Sequence, residues 1–474
     1  MAVGYGSFYI NSINLKYAAK IPVIFLYITM VAFITALFIA ACIWYISTSP
    51  IPLKQKWAVP LRLAFAAGSF VVALSLTAFW FSASLDMLIH NYSPIRFIVM
   101  LKNTPFWPGD AAFVRLAMQD CSLWADEIGT DPPEHLSING YLKAIRPSED
   151  QFSNVFDYKE DWNDEIGFDA DGIGIRWKAE KDSLTLIRVN SKSSAGKIGL
   201  ARGNRIEAVN GIWIRGLNVD TNWRSLFGKG KMGSKVSLSL LTCSGKSRNV
   251  SVQVTVNPQD PPKSSIITTT NGNKVGYLYL EHFSASQFKN ITEHFEAFKN
   301  AGVRDLVLDL RYNSGGTVQK AKILASLIGG KAVNGKLFIR WERSQRYEDN
   351  KTEYIFESSP ESMDARRLVV LTTDDTCSAS EAVINGLRPY MPIYTVGSAT
   401  CGKPFGMELI EFGDKILSPV TARLLNSRGE GHYSSGIRAD FKAKDDLNHQ
   451  LGDPQEGMLK KALEVLEEDG GGKL

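Results

Sequence analysis

The sequence predicts an α/β core with a mainly parallel sheet, preceded by a β-rich module and by an amino-terminal helical hairpin in a membrane. Three observations support this fold class. Strand and helix patterns alternate from about residue 275 onward, short strands punctuated by glycine fill residues 165–257, and two long uncharged runs occupy residues 21–46 and 63–85. Because 474 residues exceed the size of one ordinary domain, we expect several domains.

Residues 1–105 form the predicted membrane segment. Each uncharged run is long enough to cross a hydrocarbon core, which takes about 20 apolar residues. Aromatic residues near the ends of the runs fit the two membrane interfaces. We therefore expect two transmembrane helices, about 21–46 and 63–85, in contact with membrane lipid. The alternatives are a signal peptide or two buried core helices.

Basic residues around the two runs bear on the localisation. Lys54, Lys56 and Arg62 lie in the short connection, against two basic residues on each flank. The excess favours a cytoplasmic connection. The sequence thus predicts a membrane protein whose main body lies outside the cytoplasm, in the periplasm if the source is bacterial.

Charge is divided unevenly along the chain. The net charge is +4 overall, but residues 1–105 hold seven Lys or Arg and one Asp, so the remaining residues are slightly acidic. A near-neutral body without basic runs lacks the electrostatic footprint of a nucleic-acid-binding protein. Nucleic acid is therefore excluded as a partner.

Four further segments follow the membrane segment. A helical cap is predicted at 106–160, the β-rich module at 165–257 and a proline-containing linker at 258–274. The α/β core is predicted at 275–470. Its predicted strands are 275–280, 305–311, 368–373 and 393–396, and its predicted helices are 286–300, 318–329, 380–388 and 458–466.

Several kinds of site are not supported by any motif. The six histidines are isolated, and neither an HExxH nor a CxxC pattern occurs, so no metal is expected. A P-loop and a GxSxG elbow are also missing from the sequence. The GxGxxG pattern at 228–233 precedes a strand instead of joining a strand to a helix, which argues against a dinucleotide site.

Ser378 follows a predicted strand and lies at the start of a predicted helix. Free backbone N–H groups and the helix dipole favour an anion there, so a serine at this position can act as a nucleophile. Lys403 can serve as its base if desolvation moves the lysine pKa from about 10.4 toward 7. Locally, a blander alternative stays open: Ser378 and Glu381 form a capping box, and Lys403 is a solvated lysine.

The motifs together resemble those of the C-terminal processing, or tail-specific, serine peptidases. The matching segments are 309–316, 378–381 and 402–403, in the family's order and spacing. The resemblance implies a crotonase-like catalytic core that works as a serine endopeptidase through a Ser/Lys dyad, without a cofactor or metal. Its substrates are proteins and peptides with exposed C-terminal tails.

Residue by residue, the resemblance assigns Ser378 as nucleophile and Lys403 as general base. It also implies an oxyanion hole built from the backbone N–H of Ala379 and that of Gly315 or Gly316. A glycine pair allows close backbone approach to a substrate carbonyl. The alternative interpretation of the pair is a plain turn between a strand and a helix.

The β-rich module resembles a PDZ domain. Gly172, Ile173, Gly174 and Ile175 resemble its carboxylate-binding loop, and residues 194–211 resemble the segments that follow. The resemblance implies that a substrate tail pairs as an added strand beside this loop.

Two positions depart from the family pattern. Met407 stands where the family often has a glutamine that orients the lysine, and Asn204 stands where a PDZ aspartate is usual. The first departure leaves open an alternative function, a non-catalytic membrane-tethered PDZ scaffold that binds peptides.

Cys377 and Cys401 flank the implied dyad. A productive contact between Ser378 and Lys403 would bring these cysteines close together, so we hypothesise a disulfide, which an oxidising compartment permits. Two reduced, packed cysteines are the alternative.

Overall fold

The structure, a computed structural model, describes residues 109–132, 136–157, 172–217, 223–228, 232–255, 260–344 and 351–468. Within these ranges, no helix has the length and apolar character required to cross a membrane. The predicted transmembrane runs at 21–46 and 63–85 lie outside the described residues.

Two helices precede the β-rich module, where the sequence predicts a helical segment. Helix α1 spans Asp110–Cys121 and helix α2 spans Ile138–Ile145. Ser137 begins α2 because its side-chain oxygen accepts the N–H of Gly140. A following strand, β1 (Asn154–Asp157), pairs antiparallel with a strand of the core and so attaches the helical segment to it.

The β-rich module has a sheet and a hydrophobic cluster of its own. In chain order its elements are β2 (Ile175–Ala179), β3 (Leu184–Val189), α3 (Ser194–Lys197), β4 (Arg205–Val209), β5 (Ile212–Trp213), α4 (Trp223–Leu226), β6 (Lys235–Leu241) and β7 (Ser247–Gln253). The sheet order is β2-β3-β4-β6-β7, with β5 paired to β4. Leu186, Ile206 and Leu238 are among the buried side chains of the cluster. In this order β2 is an edge strand.

The described residues of the core form three sheets. Its elements are β8 (Lys263–Thr268), β9 (Lys274–Tyr279), α5 (Ile291–Asn300), β10 (Asp305–Asp309), α6 (Val318–Gly329), β11 (Leu337–Arg343), β12 (Lys351–Ile355), β13 (Arg367–Thr372), α7 (Ala379–Leu387), β14 (Ile393–Gly397), β15 (Phe405–Met407), β16 (Ile410–Phe412), β17 (Lys415–Ser418), β18 (Val420–Leu425), β19 (Phe441–Lys442) and α8 (Gly457–Glu468). The central sheet has the order β19-β14-β13-β10-β9-β8, and all its pairs are parallel except β8 with β9. The other sheets, β12-β11-β18-β15 and β1-β17-β16, are antiparallel. The predicted α/β class is confirmed.

The central sheet is buried on both faces. Leu306 and Leu308 of β10 pack with helices α5, α6 and α7, whereas Val307 packs on the opposite face with α8. This alternation follows from the two-residue period of a strand. Burying a side chain of this size stabilises the fold by about 1.5–3 kcal/mol.

Two segments differ from the sequence-based expectation. Strand β8 lies where the sequence predicts a linker, and its mostly exposed side chains carry no hydrophobic pattern that would reveal a strand. Helix α5 begins at Ile291 instead of about residue 286, because residues 285–290 form turns. The turns follow Phe283, whose backbone bonds to the Gly315–Gly316 segment and fixes the chain direction there.

Candidate active site

The three predicted catalytic segments follow three adjacent parallel strands and therefore lie together at one edge of the central sheet. Strands β10, β13 and β14 are neighbours, so their carboxyl ends lie together. The glycine pair follows β10, Ser378 follows β13, and Lys403 follows β14. Crevices at the carboxyl ends of parallel strands are the usual ligand sites of α/β sheets.

Ser378 has an unusual backbone conformation at the start of α7. Its φ is 56° and its ψ is −111°, a combination that non-glycine residues rarely adopt. Such a residue costs of order 1–3 kcal/mol and persists only where its surroundings enforce it. Strain of this kind clusters at functional sites, so the turn itself marks Ser378 as a candidate nucleophile.

Glu381 joins the Ser378 turn to the Lys403 segment. One carboxylate oxygen accepts the backbone N–H groups of Ser378, at 2.8 Å, and Lys403, at 2.9 Å. The other accepts the N–H of Gly402, at 2.9 Å, and the hydroxyl of Thr400, at 2.5 Å. Two bonds on the same oxygen hold the two segments side by side.

The Glu381 side chain is completely buried. Burial raises the pKa of its carboxyl group, while the bonds from Thr400, Lys403, Gly402 and Ser378 favour the ionised form and limit that rise. The sequence indicates only a local capping role for Glu381. The donors from the Lys403 segment cannot be read from it.

A disulfide bond provides a second link between the same segments. Cys377 and Cys401 are joined, with their Cα atoms 5.2 Å apart. The backbone N–H of Cys401 also donates to the carbonyl of Thr376, at 3.0 Å. Among the described residues, the sulfurs of these cysteines and a Glu381 oxygen lie close enough to share an ion, within 4.8 Å. The disulfide, however, leaves no thiolate to act as a ligand.

Asn313 fixes the glycine pair against the Ser378 turn. Its side-chain oxygen accepts the N–H of Gly315, at 2.8 Å, and its carbonyl accepts the N–H of Cys377, at 3.0 Å. Gly315 has a φ of +111°, and a Cβ there would lie only 2.9 Å from the Cβ of Ser378. This position therefore requires glycine.

Two backbone N–H groups at the site are available to a ligand. Across the described part of the chain, neither Gly316 nor Ala379 donates its N–H to a backbone or side-chain acceptor. Gly315, by contrast, is already bonded to Asn313. The glycine that can contribute to an oxyanion hole is thus Gly316, paired with Ala379 at the start of α7.

The Lys403 side chain lies near an aromatic ring. Its ammonium nitrogen lies 5.2 Å from the centroid of Phe152, which comes from the segment before the β-rich module. Phe405 lies 6.0 Å from Phe152 and 5.3 Å from Trp124. No local sequence pattern indicates Phe152, because its contact with Lys403 joins distant segments of the chain.

Met407 occupies the position where the family often has glutamine. It lies in β15, opposite Val420 of β18. The hydroxyl of Ser418 approaches its sulfur at 4.0 Å. The contacts of Lys403 include the Phe152 ring and the backbone bond to Glu381, and both help to orient it.

A buried charge network supports the turn after β10. Arg311 is completely buried and binds Asp309, at 2.9 Å, Asp445, at 2.7 Å, and Glu456, at 2.8 Å. These bonds fix the start of the segment that leads to the glycine pair. No local sequence pattern indicates the partners Asp445 and Glu456, because both lie far from the turn in the chain.

The β-rich module contacts this turn. Arg202 donates to the hydroxyl of Tyr312, at 2.6 Å, and Arg176 donates to the carbonyl of the same residue, at 2.5 Å. Arg176 also lies 3.6 Å from Asp375, which is three residues before Ser378. The edge of the module that carries β2 thus lies next to the candidate site.

The predicted peptide-binding residues form the loop and the first residue of the edge strand. Gly172, Ile173 and Gly174 precede Ile175, which begins β2. Gly174 has a φ of 85°, and a Cβ there would overlap the side chain of Ser193. In the described residues, the N–H groups of Ile173 and Gly174 have no backbone acceptor.

Comparisons with known proteins agree with this arrangement. Residues 274–443 match peptidase family S41. The chain is 25% identical over 311 residues to the carboxy-terminal processing protease CtpA of Bacillus subtilis. This alignment covers 65% of this chain and 64% of that protein. It is 28% identical over 306 residues to the carboxyl-terminal-processing protease of Synechocystis sp., which covers 62% of this chain and 67% of that protein.

A solved structure shares the fold. A crystal structure from Bacteroides fragilis, assigned to the S41 proteases, aligns with a TM-score of 0.63 and 22% identity, over 75% of this chain and 97% of that one. The aligned part is less than two thirds of the Bacillus subtilis protein. Other relatives are CtpA-like serine proteases of staphylococci. The resemblance seen in the motifs is confirmed: the α/β core, over residues 274–443, matches peptidase family S41, and the relatives support a serine-type peptidase.

Proposed function

We propose that this protein is a membrane-anchored serine endopeptidase that captures the C-terminal tail of a protein and cleaves that protein in its α/β core. Ser378 is the nucleophile and Lys403 is the general base. The β-rich module, which we assign as a PDZ domain, binds the tail. Natural relatives named as carboxy-terminal processing proteases support this assignment.

One observation supports the proposal most strongly. The Ser378 turn and the Lys403 segment are held by a single carboxylate oxygen of Glu381, next to the two available N–H groups of Ala379 and Gly316. A nucleophile, a base and two oxyanion donors at one sheet edge are the parts that acyl transfer requires.

Acylation uses each of these parts in turn. Neutral Lys403 accepts the proton of the Ser378 hydroxyl as its oxygen attacks the scissile carbonyl. The N–H groups of Ala379 and Gly316 stabilise the negative charge that develops on the carbonyl oxygen. Lys403 then gives its proton to the departing amine, and the acyl group remains on Ser378.

Deacylation reverses the roles of the same groups. Lys403, neutral again, accepts a proton from a water molecule that attacks the ester, and Ser378 regains its proton as the acid product leaves. Both steps require neutral Lys403, whereas the face of Phe152 favours the ammonium form. Catalysis at neutral pH therefore requires the partial burial of the lysine side chain to outweigh this contact.

Tail capture uses the edge of the module sheet. A substrate strand can pair with the open side of β2, and its carboxylate can accept the N–H groups of Ile173 and Gly174. Arg176 of the same strand contacts Tyr312, so a captured tail lies close to the cleavage site.

Anchoring rests on the sequence of the first 105 residues. The uncharged runs at 21–46 and 63–85 support two transmembrane helices in contact with lipid. The three basic residues between them favour a cytoplasmic connection, which places the peptidase outside the cytoplasm. A disulfide between Cys377 and Cys401 suits that compartment.

Blocking the carboxylate of a substrate tail should weaken its capture. We expect a peptide that ends in an apolar tail to be cleaved at a KM about tenfold lower than the same peptide with a C-terminal amide, because the amide lacks the charge that accepts the loop N–H groups. The kcat values should agree within about twofold. Equal KM values for acid and amide, measured with the full chain in detergent, would contradict tail recognition.

A further inference from the structure

We propose that Glu381 is a positioning residue, which sets the distance between the nucleophile and the base. The inference rests on the proposed function. A helix cap needs only the bond to Ser378, yet three of the four donors to Glu381 come from the segment of Thr400, Gly402 and Lys403. A single buried carboxylate therefore sets the relative position of the segment that follows β13 and the segment that follows β14.

The distribution of donors makes the role testable. Each carboxylate oxygen accepts two donors, and in Glu381→Gln one oxygen becomes an NH2 group. Two of the four donors then face another donor. Since misplacement by about 1 Å can cost about 100-fold in rate, we expect kcat to fall at least tenfold. KM should change less than about twofold, because Glu381 does not contact the tail-binding loop.

A matched control separates positioning from stability. Asp305 is an equally buried carboxylate at the opposite end of β10, where it binds Arg366 and Arg367. Asp305→Asn should lower the Tm but leave kcat unchanged at temperatures where the variant is folded. If Glu381→Gln lowers the Tm and keeps the parent kcat, the positioning role is contradicted. If the parent itself cleaves nothing, the proposed function fails, and the inference fails with it.

The disulfide supports a second inference. We infer that the peptidase is regulated by the redox state of Cys377 and Cys401. A dithiol reductant, of the small-molecule or thioredoxin type, would transfer two electrons and two protons. Its own thiols become a disulfide, the Cys377–Cys401 bond breaks, and two thiols form.

The position of the Cys377–Cys401 disulfide explains why its reduction should lower the rate of cleavage. Cys377 precedes the nucleophile directly, and Cys401 lies two residues before Lys403. Both cysteines are partly exposed, so a reductant can reach them. After reduction the bonds to Glu381 still join the segments, and the rate should therefore decrease without disappearing.

Dithiothreitol tests this inference on the full chain. We expect reduction to lower kcat about tenfold, and reoxidation to restore it. The double variant Cys377→Ser with Cys401→Ser should show the reduced rate and no response to dithiothreitol. Cys243→Ser, which removes a free cysteine of the β-rich module, should respond like the parent. Equal rates for oxidised and reduced parent, with reduction verified by mass spectrometry, would overturn the inference. A parent without cleavage in either state would refute the proposed function, and the inference that rests on it.

Discussion

Replacement of Ser378 by alanine should reduce cleavage of a protein with an apolar C-terminal tail at least about 1,000-fold. The hydroxyl is the only group at the site that can carry the acyl intermediate in the proposed mechanism. Lys403→Ala should cause a similar loss, because the serine then has no base. The double variant should be no worse than either single variant, since the two groups act as a unit. Mass spectrometry of the products measures all three.

The scaffold alternative gives the opposite result for the same variants. A non-catalytic PDZ protein would show no cleavage by the parent and no change in any activity of Ser378→Ala. Ser378→Gly provides an internal control for folding. Glycine adopts a φ of 56° without strain, so this variant should lose cleavage while its free energy of unfolding is unchanged or rises by about 1 kcal/mol. Loss of both activity and stability would contradict a strained turn at Ser378.

Replacement of Arg311 by methionine should destabilise the fold by about 3–5 kcal/mol. Methionine fills a similar volume but leaves the buried carboxylates of Asp309 and Glu456 without their cation, whereas Asp445 keeps its ion pair with Arg202. The uncompensated charges cost more than the lost hydrogen bonds. Urea unfolding of parent and variant measures the difference. Arg340→Met is the control, because its ion pair with Glu353 is exposed and should contribute less than about 1 kcal/mol.

The stability that this charge network contributes should depend on pH in a direction that follows from the pKa values of its carboxyl groups. Burial alone would raise the pKa of Asp445 and Glu456, but Arg311, with Arg202 at Asp445, holds both pKa values below their usual range. The network therefore stabilises the parent at pH values above the ordinary carboxyl pKa of about 4. This stabilisation is lost as the pH falls through the lowered pKa values that these carboxyl groups have in the folded protein. In Arg311→Met the pKa of Glu456 should be raised by burial, so the stability difference from the parent should shrink between pH 7 and pH 5. A constant difference would contradict the assignment.

Local patterns predicted the central sheet and its catalytic segments because both depend on short-range features. Apolar runs revealed β10 and β13, and the position of Ser378 after β13 followed from strand, turn and helix signals. Strand β8 lies in the predicted linker because its exposed side chains show no alternation, and only its pairing with β9 makes it a strand. Edge strands of this kind depend on a partner that the local sequence does not specify.

The parts of the candidate site that local sequence patterns do not predict depend on contacts between distant segments of the chain. Glu381 could be recognised as a cap, but its bonds to Gly402 and Lys403 exist because β13 and β14 are neighbours in the sheet. The position of Phe152 over Lys403 depends on how the amino-terminal helical segment packs on the core. No fixed spacing of residues along the chain predicts either contact. The glycine pair and the Ser378 turn, by contrast, belong to motifs with a fixed spacing.

The most direct test of the account is detection of an acyl group on Ser378. A peptide ester with an apolar C-terminal tail is mixed with the full chain, the reaction is quenched with acid, and the digested protein is mapped by mass spectrometry. We predict a mass increase equal to the acyl part of the substrate on the peptide that contains Ser378. The adduct should be absent from Ser378→Ala and should form at least about 100-fold more slowly in Lys403→Ala. Hydrolysis of the ester with an adduct on another residue, or with a rate independent of Lys403, would contradict the Ser378–Lys403 mechanism.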